Sequence, residues 1–196
     1  ELFIALPAPL YKRRIMKKII QYALMMAGVL AAIPAMSQMN NMAEKAASQL
    51  KMLLQFNGLW ETSTAVMKTG SKEHRFAYYV DFKIASEDNA IVMHEWADIP
   101  GIGRLDGNNL AGVSMQDGKI HWYSVDNMGT THEHIGEFTD QHHFTMAHTS
   151  MQDGKEFVET IEMEFAKPDV LILKETVTLG GEEVVLITGT FRRKKG

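Results

Sequence analysis

The chain has 196 residues, no cysteine and a formal net charge of −4 at pH 7. This length suits one globular domain, and the lack of cysteine excludes a disulfide scaffold and a cysteine nucleophile. The acidic balance argues against nucleic acid or an anionic membrane as the partner, because both repel negative charge.

The N-terminal segment has the pattern of a targeting sequence. Residues 16–37 contain a basic start, an apolar core and small residues before a cleavage site at Ser37. The core of about fifteen apolar residues is shorter than the roughly 20 that a transmembrane helix needs. We therefore predict a secretory signal peptide at 16–37, with 1–15 as translated upstream sequence. The mature protein should be secreted or periplasmic, without stable membrane insertion; an uncleaved anchor is the alternative.

One amphipathic helix is predicted within residues 38–57. Asn41 and Glu44 match a capping box, and apolar residues then recur at helical spacing. The helix should run from about Met42 to Gln55 and bury its apolar stripe against the end of the following domain.

From residue 58 onward the apolar period changes to two, which is typical of strands. Turn residues such as Asp-Gly and Gly-Gly separate ten candidate strands, at 59–67, 74–85, 90–97, 104–115, 119–126, 130–138, 142–151, 156–166, 170–179 and 183–193. Such short connections permit only antiparallel neighbours. Closure of the meander removes both exposed edges, so residues 58–196 are predicted to form an all-β, up-and-down antiparallel β-barrel of about ten strands.

Strand parity predicts how the barrel closes. With an even number of strands, the first and last are antiparallel, so Trp60 should lie level with the end of the last strand. If Trp60, Thr62 and Thr64 face inward and the β10 residues Leu186, Thr188 and Thr190 do likewise, Arg192 lies over the Trp60 indole and Arg193 points to solvent. A frayed basic C-terminus is the alternative.

The stretch Gly58-Leu59-Trp60, which opens the first strand after a short helix, resembles the calycin and lipocalin superfamily of ligand-binding barrels. The chain is most similar to an exported bacterial calycin-like family of unknown function, through Trp122–Gly129 to Thr188–Arg192. The resemblance implies a barrel around a cavity and no established catalytic residues. Ten strands are closer to the fatty-acid-binding and nitrobindin-like branches. Nitrobindin-like proteins hold haem through a histidine near the last strands, and none is present here, so no cofactor is predicted.

Two histidines stand one residue apart in the stretch GTTHEHIGE, from Gly129 to Glu137. Alternation places His132 and His134 on one strand face, at a spacing that suits two metal ligands. Glu137 falls on the opposite face, and no second cupin motif follows. A solvated, Thr-rich strand is therefore the preferred interpretation, and a metal site at His132 and His134 is kept as the alternative.

Two acids interrupt apolar stripes that should face the interior. Glu159 lies between apolar residues of one strand, and Glu175 lies between Leu173 and Val177 of the next. A carboxylate inside a barrel needs a partner or keeps its proton. It acts either as a polar anchor for a ligand or as an internal pair, such as His148 with Glu159, that only stabilises the fold. Both interpretations stay open.

The predicted function is binding of a small, partly apolar molecule inside the barrel, without catalysis. The predicted ligand-binding residues are Tyr78, Trp96, Tyr123, His148, Glu159 and Glu175. Core packing is the alternative for the two middle-strand aromatics. Two other functions are kept: an enzyme that uses His and Glu in the cavity, as a metal-assisted hydrolase or isomerase, and a cell-envelope protein that binds a partner through its N-terminal helix. No oligomeric state is predicted.

Overall fold

The structure, a computed structural model, describes residues 40–195. The predicted signal peptide at 16–37 and the upstream residues 1–15 lie outside the described residues. Within the described range, no helix combines the length and the hydropathy that a membrane crossing requires.

The described chain begins in helix α1, residues 40–53, which continues as a 3-10 turn at Leu54–Phe56. Ten strands follow: β1 Gly58–Thr69, β2 Lys72–Ala85, β3 Ala90–Ile99, β4 Gly103–Val113, β5 Ile120–Asp126, β6 Thr131–Phe138, β7 His143–Gln152, β8 Lys155–Lys167, β9 Val170–Leu179 and β10 Glu182–Arg193. Each strand pairs antiparallel with its neighbours in sequence, and β1 also pairs with β10. The predicted ten-stranded, closed up-and-down barrel with an N-terminal helix is confirmed.

Alternation and turn chemistry explain why this sequence forms the barrel. In β2, Phe76, Tyr78, Val80 and Phe82 are buried while the residues between them are half-buried, because successive side chains point to opposite faces. The β7–β8 turn has positive φ at both Asp153 and Gly154, 51° and 76°. Such paired positive φ values match the right-handed twist of the flanking strands and favour Asp-Gly.

Helix α1 and its 3-10 turn close one end of the barrel. Leu53 and Phe56 are fully buried. The Phe56 ring packs among five aromatic rings from five strands: Phe82, Trp122, Phe138, Phe144 and Phe165. The buried Gln49 amide donates to the carbonyl of Phe138 (2.9 Å) and accepts from its N–H (2.8 Å). The helix is thus fixed to the barrel by apolar packing and by one amide–backbone pair.

Strands β1 and β10 pair antiparallel, as predicted, but the arginine that lies over Trp60 is Arg193 and not Arg192. Trp60 pairs with Arg193 and Glu61 with Arg192. The Arg193 guanidinium carbon lies 4.4 Å from the Trp60 ring centroid, whereas Arg192 is exposed. The prediction that Arg192 covers Trp60 is therefore wrong.

The inward face of β10 explains this correction. Ile187, Gly189 and Phe191 are buried there, and Leu186, Thr188 and Thr190 point away from the interior. Burial of the Phe191 ring stabilises more than burial of a threonine, so the large apolar residues decide which face of β10 turns into the barrel. Because side chains two positions apart share a face, Arg193 lies on the same side of β10 as Phe191 and meets Trp60.

Arg193→Ala should lower the free energy of unfolding by about 1–2 kcal/mol, because it removes a cation–π contact and a charge-assisted hydrogen bond. That hydrogen bond runs from Arg193 Nη2 to the carbonyl of Gln55, at 2.6 Å. Arg192→Ala, at an exposed position, should cost less than about 0.5 kcal/mol. Urea unfolding followed by circular dichroism checks the pair, and equal losses would contradict the described closure.

Candidate ligand-binding cavity

The barrel encloses a cavity of about 430 Å³. Most of its wall is apolar, with Trp60 and Phe82 near the end closed by α1 and Ile102 and Met128 at the turns of the opposite end. The polar lining residues are Tyr78, Glu95, Asn109, Ser124, Asp126, Thr130, His132, His134, Glu159 and Glu175. An apolar chamber with a few convergent polar groups is the usual form of a small-molecule site.

One set of polar residues at the wall forms what we name the His–Glu cluster. It consists of His132 and His134 of β6, His148 of β7 and Glu159 of β8. Glu159 Oε2 lies 3.0 Å from His132 Nε2 and 3.4 Å from His134 Nε2. The two Nε2 atoms are 3.3 Å apart. The His148 ring stacks on that of His132, with centroids 4.3 Å apart.

The cluster corrects one prediction about β6 and one about the pair of His148 with Glu159. The His134 side chain is only 2 % exposed and that of His132 13 %, so the interpretation of these histidines as part of a solvated strand is wrong. Alternation turns both rings, together with Gly136 and Phe138, into the barrel. His148 is the backbone neighbour of Glu159, as the predicted pair required. However, the Glu159 carboxylate contacts His132 and His134, while His148 Nδ1 donates to the carbonyl of Glu133 at 2.9 Å.

Burial and charge set the protonation of the cluster. Burial, followed by the negative charges of Glu159 and Glu95, raises the pKa of Glu175 well above its usual value. Burial also raises the pKa of Glu159, but the hydrogen bond with His134 and the charges of both histidines outweigh it, leaving that pKa below its usual value. Burial lowers the pKa of His132. Burial therefore favours the neutral forms of Glu175 and His132, whereas the contacts with the two histidines favour the ionised form of Glu159.

A second polar group crosses the cavity wall from β2 to β5. The Tyr78 hydroxyl donates to Glu95 Oε2, Asn109 Nδ2 donates to Glu95 Oε1 (3.0 Å), and Trp122 Nε1 donates to Asn109 Oδ1 (3.2 Å). Burial raises the pKa of both Tyr78 and Glu95. A Cβ at Gly107 would lie 2.8 Å from Glu95 Oε1, so the glycine leaves room for this carboxylate.

The structure separates the predicted site residues into those at the cavity and those outside. Tyr78, Glu159 and Glu175 line it, and His148 adjoins it through His132; their role in binding stays a prediction. Trp96 and Tyr123 do not line it, which corrects their placement. Trp96 stacks on Tyr79 and His94 at the outer face, with centroids 5.3 and 4.9 Å away.

Strand parity explains both the misplaced and the missed residues. Tyr123 is 52 % exposed because the inward position of β5 belongs to Trp122. Trp96 points outward because Glu95 and Ala97 face the interior of β3. Sequence reasoning missed Glu95 and Asn109. The signal for Glu95 was present, because it interrupts the inward row Met93, Ala97 and Ile99 as Glu159 interrupts its own.

Comparison with known proteins supports the fold but assigns no function. No family model and no curated protein matches this chain. Among solved structures, the chain is similar to an S-type phycobiliprotein lyase from Guillardia theta, with a TM-score of 0.53 and 12 % sequence identity. The match covers 74 % of this chain and 92 % of that chain. The likeness shows a shared barrel fold; membership of the calycin superfamily and of an exported bacterial family stays a prediction.

Proposed function

We propose that this protein binds a small, partly apolar molecule inside its barrel and does so after export, as a secreted or periplasmic protein. The observation that carries this proposal is the cavity of about 430 Å³ with an apolar wall and two polar groups. Its volume falls within the roughly 300–1,000 Å³ of small-molecule sites. Export rests on the predicted signal peptide at 16–37.

The two kinds of wall suggest how a ligand lies in the cavity. An apolar body would lie against Leu171, Leu173 and Met163, where burial releases water from both surfaces. A polar end would face the His–Glu cluster, whose carboxylate is held ionised near neutral pH. The phycobiliprotein lyase supports this proposal only through the shared fold.

The other two predicted functions receive less support. A partner-binding role for α1 would require an exposed apolar stripe, but Ala46, Leu53 and Phe56 are buried. The enzyme interpretation depends on the His–Glu cluster, which a ligand-binding role uses equally well as a polar anchor.

Native mass spectrometry of protein purified from its own host tests the proposal. We expect an additional bound organic mass on a chain that has lost residues 1–37. Leu173→Trp should abolish that mass by filling the cavity, whereas Ile172→Trp should retain it, because Ile172 is the outward neighbour on β9 and 38 % exposed.

Melting curves of both tryptophan variants provide the folding control. Equal retention of the bound mass in two folded variants would contradict binding inside the barrel, as would wild-type protein that carries no organic molecule. A chain that keeps residues 16–37 would contradict export with cleavage while leaving ligand binding in place.

A further inference from the structure

Three side-chain atoms of the His–Glu cluster converge on one point at the cavity wall. His132 Nε2, His134 Nε2 and Glu159 Oε2 are separated by 3.3, 3.0 and 3.4 Å. An ion with tetrahedral bonds of about 2.0–2.2 Å holds its ligand atoms about 3.3–3.6 Å apart. The three atoms thus have nearly the spacing of one face of such a tetrahedron, without any rearrangement of the strands.

The charge of the cavity is a second, independent observation. Four carboxyl groups line it, and the ionised Glu159 is one of them; the others belong to Glu95, Asp126 and Glu175. Among residues 40–195, no lysine or arginine lines it. Because buried negative charge is costly without a counter-ion, a divalent cation at Glu159 would supply the positive charge that the wall lacks.

The surroundings of the three atoms are also those of ligands held in place. His134 lies on the central part of β6, and Glu159 is two strands away on β8, with β7 between them. The Glu159 carboxylate adjoins the Glu175 carboxyl group, and the His148 ring stacks on that of His132. This packing holds two of the ligands, whereas the buried His134 Nδ1, which in known sites usually donates a hydrogen bond, has no partner within residues 40–195.

We propose that His132, His134 and Glu159 bind a divalent transition-metal ion, with Zn²⁺ as the preferred ion, and leave one coordination position open to the cavity. Two imidazoles and one carboxylate suit Zn²⁺ and its neighbours in the first transition series rather than Ca²⁺ or Mg²⁺, which take oxygen ligands. All three residues line the cavity, so water or the polar end of a bound molecule can occupy the open position. The site goes beyond the proposed function, because it needs no organic ligand.

The test uses metal alone on the full-length mature protein, after dialysis against a chelator. Competition with a chromogenic chelator should show one equivalent of Zn²⁺ bound with a Kd below about 1 μM. Glu159→Gln and His132→Gln should each weaken binding by more than about 100-fold, because loss of even an outer-shell partner weakens sites by about 10–100-fold.

The matched control is His121→Gln, a histidine flanked by Asp117 and Glu133 on the outside of the barrel. It should leave the Zn²⁺ affinity unchanged within about twofold, because substitutions far from a site act independently of it. A Co²⁺ spectrum of the unmodified protein gives a readout that does not require any variant to fold. Intense visible bands of tetrahedral Co²⁺ that disappear on Zn²⁺ addition are expected.

Three results would overturn the site: binding weaker than about 100 μM in wild-type protein, equal affinity in Glu159→Gln, or loss of the tight equivalent in His121→Gln. Any of these leaves ligand occupancy, measured separately by native mass spectrometry, unaffected. Failure of ligand binding with one tight Zn²⁺ retained would reject the proposed function and keep the metal site.

Discussion

Replacing Phe56 with alanine should lower the free energy of unfolding by about 3–5 kcal/mol, as expected when a fully buried aromatic ring is deleted from a core. The side chain is 0 % exposed and packs against rings from five strands. The surrounding rings belong to a closed sheet and cannot collapse fully into the space. Urea unfolding followed by far-ultraviolet circular dichroism measures the loss.

Leu54→Ala is the control on the same 3-10 turn, because Leu54 is only half-buried. It should cost less than half as much as Phe56→Ala. A loss of less than about 1 kcal/mol in Phe56→Ala would contradict a stabilising role for this end of the barrel, since such values are typical of peripheral positions.

Gln49→Leu should lower the free energy of unfolding by about 2–4 kcal/mol, because each buried backbone group left unpaired costs about 1–3 kcal/mol. The substitution keeps the side-chain volume close to that of glutamine but removes the partner of both the N–H and the carbonyl of Phe138. Leucine cannot replace either hydrogen bond, and water has no access to these atoms at a side chain that is 5 % exposed.

Gln55→Leu provides the comparison in the same segment, since Gln55 is exposed. Its effect should stay within about 0.5 kcal/mol. Chemical unfolding of the two variants side by side measures the difference. Similar small effects would show that the amide–backbone pair does not hold α1 on the barrel.

Local patterning was enough to predict the strands. All ten predicted strands begin and end within two residues of the observed ones. Each strand alternates over many residues and is bounded by Gly, Pro or Asp turns, so its bounds depend only on neighbours in sequence. The length of α1 was also predictable, but its continuation into a 3-10 turn that buries Phe56 depended on tertiary contacts.

Face assignment failed where alternation was interrupted or ambiguous. In β1, the register shifts between Thr62 and Ala65, so Thr64, predicted to face inward, is exposed and Ala65 is buried instead. In β10, threonines and large apolar residues occupy alternate positions, and the choice between them decided whether Arg192 or Arg193 met Trp60. Counting along the sequence cannot detect an inserted bulge residue.

Some residues of the cavity could be predicted singly, but the contacts between them could not. Glu159 and Glu175 could be found because each breaks an apolar row. The partners of Glu159 could not, since strand register places His148 opposite it while the rings that reach its carboxylate come from β6, two strands away. Side-chain direction, and not the pairing of neighbours, decided that contact.

The β1–β10 pairing determines when the barrel can form during synthesis. Lys194 and Glu61, which contact each other across this pairing, are 133 positions apart in the chain. Until the last strand has left the ribosome, β1 and β9 both retain unpaired edges, and closure over so long a chain is slow compared with hairpin formation. The barrel can therefore close only once β10 has emerged, and a chain truncated before β10 would expose two edges that favour aggregation.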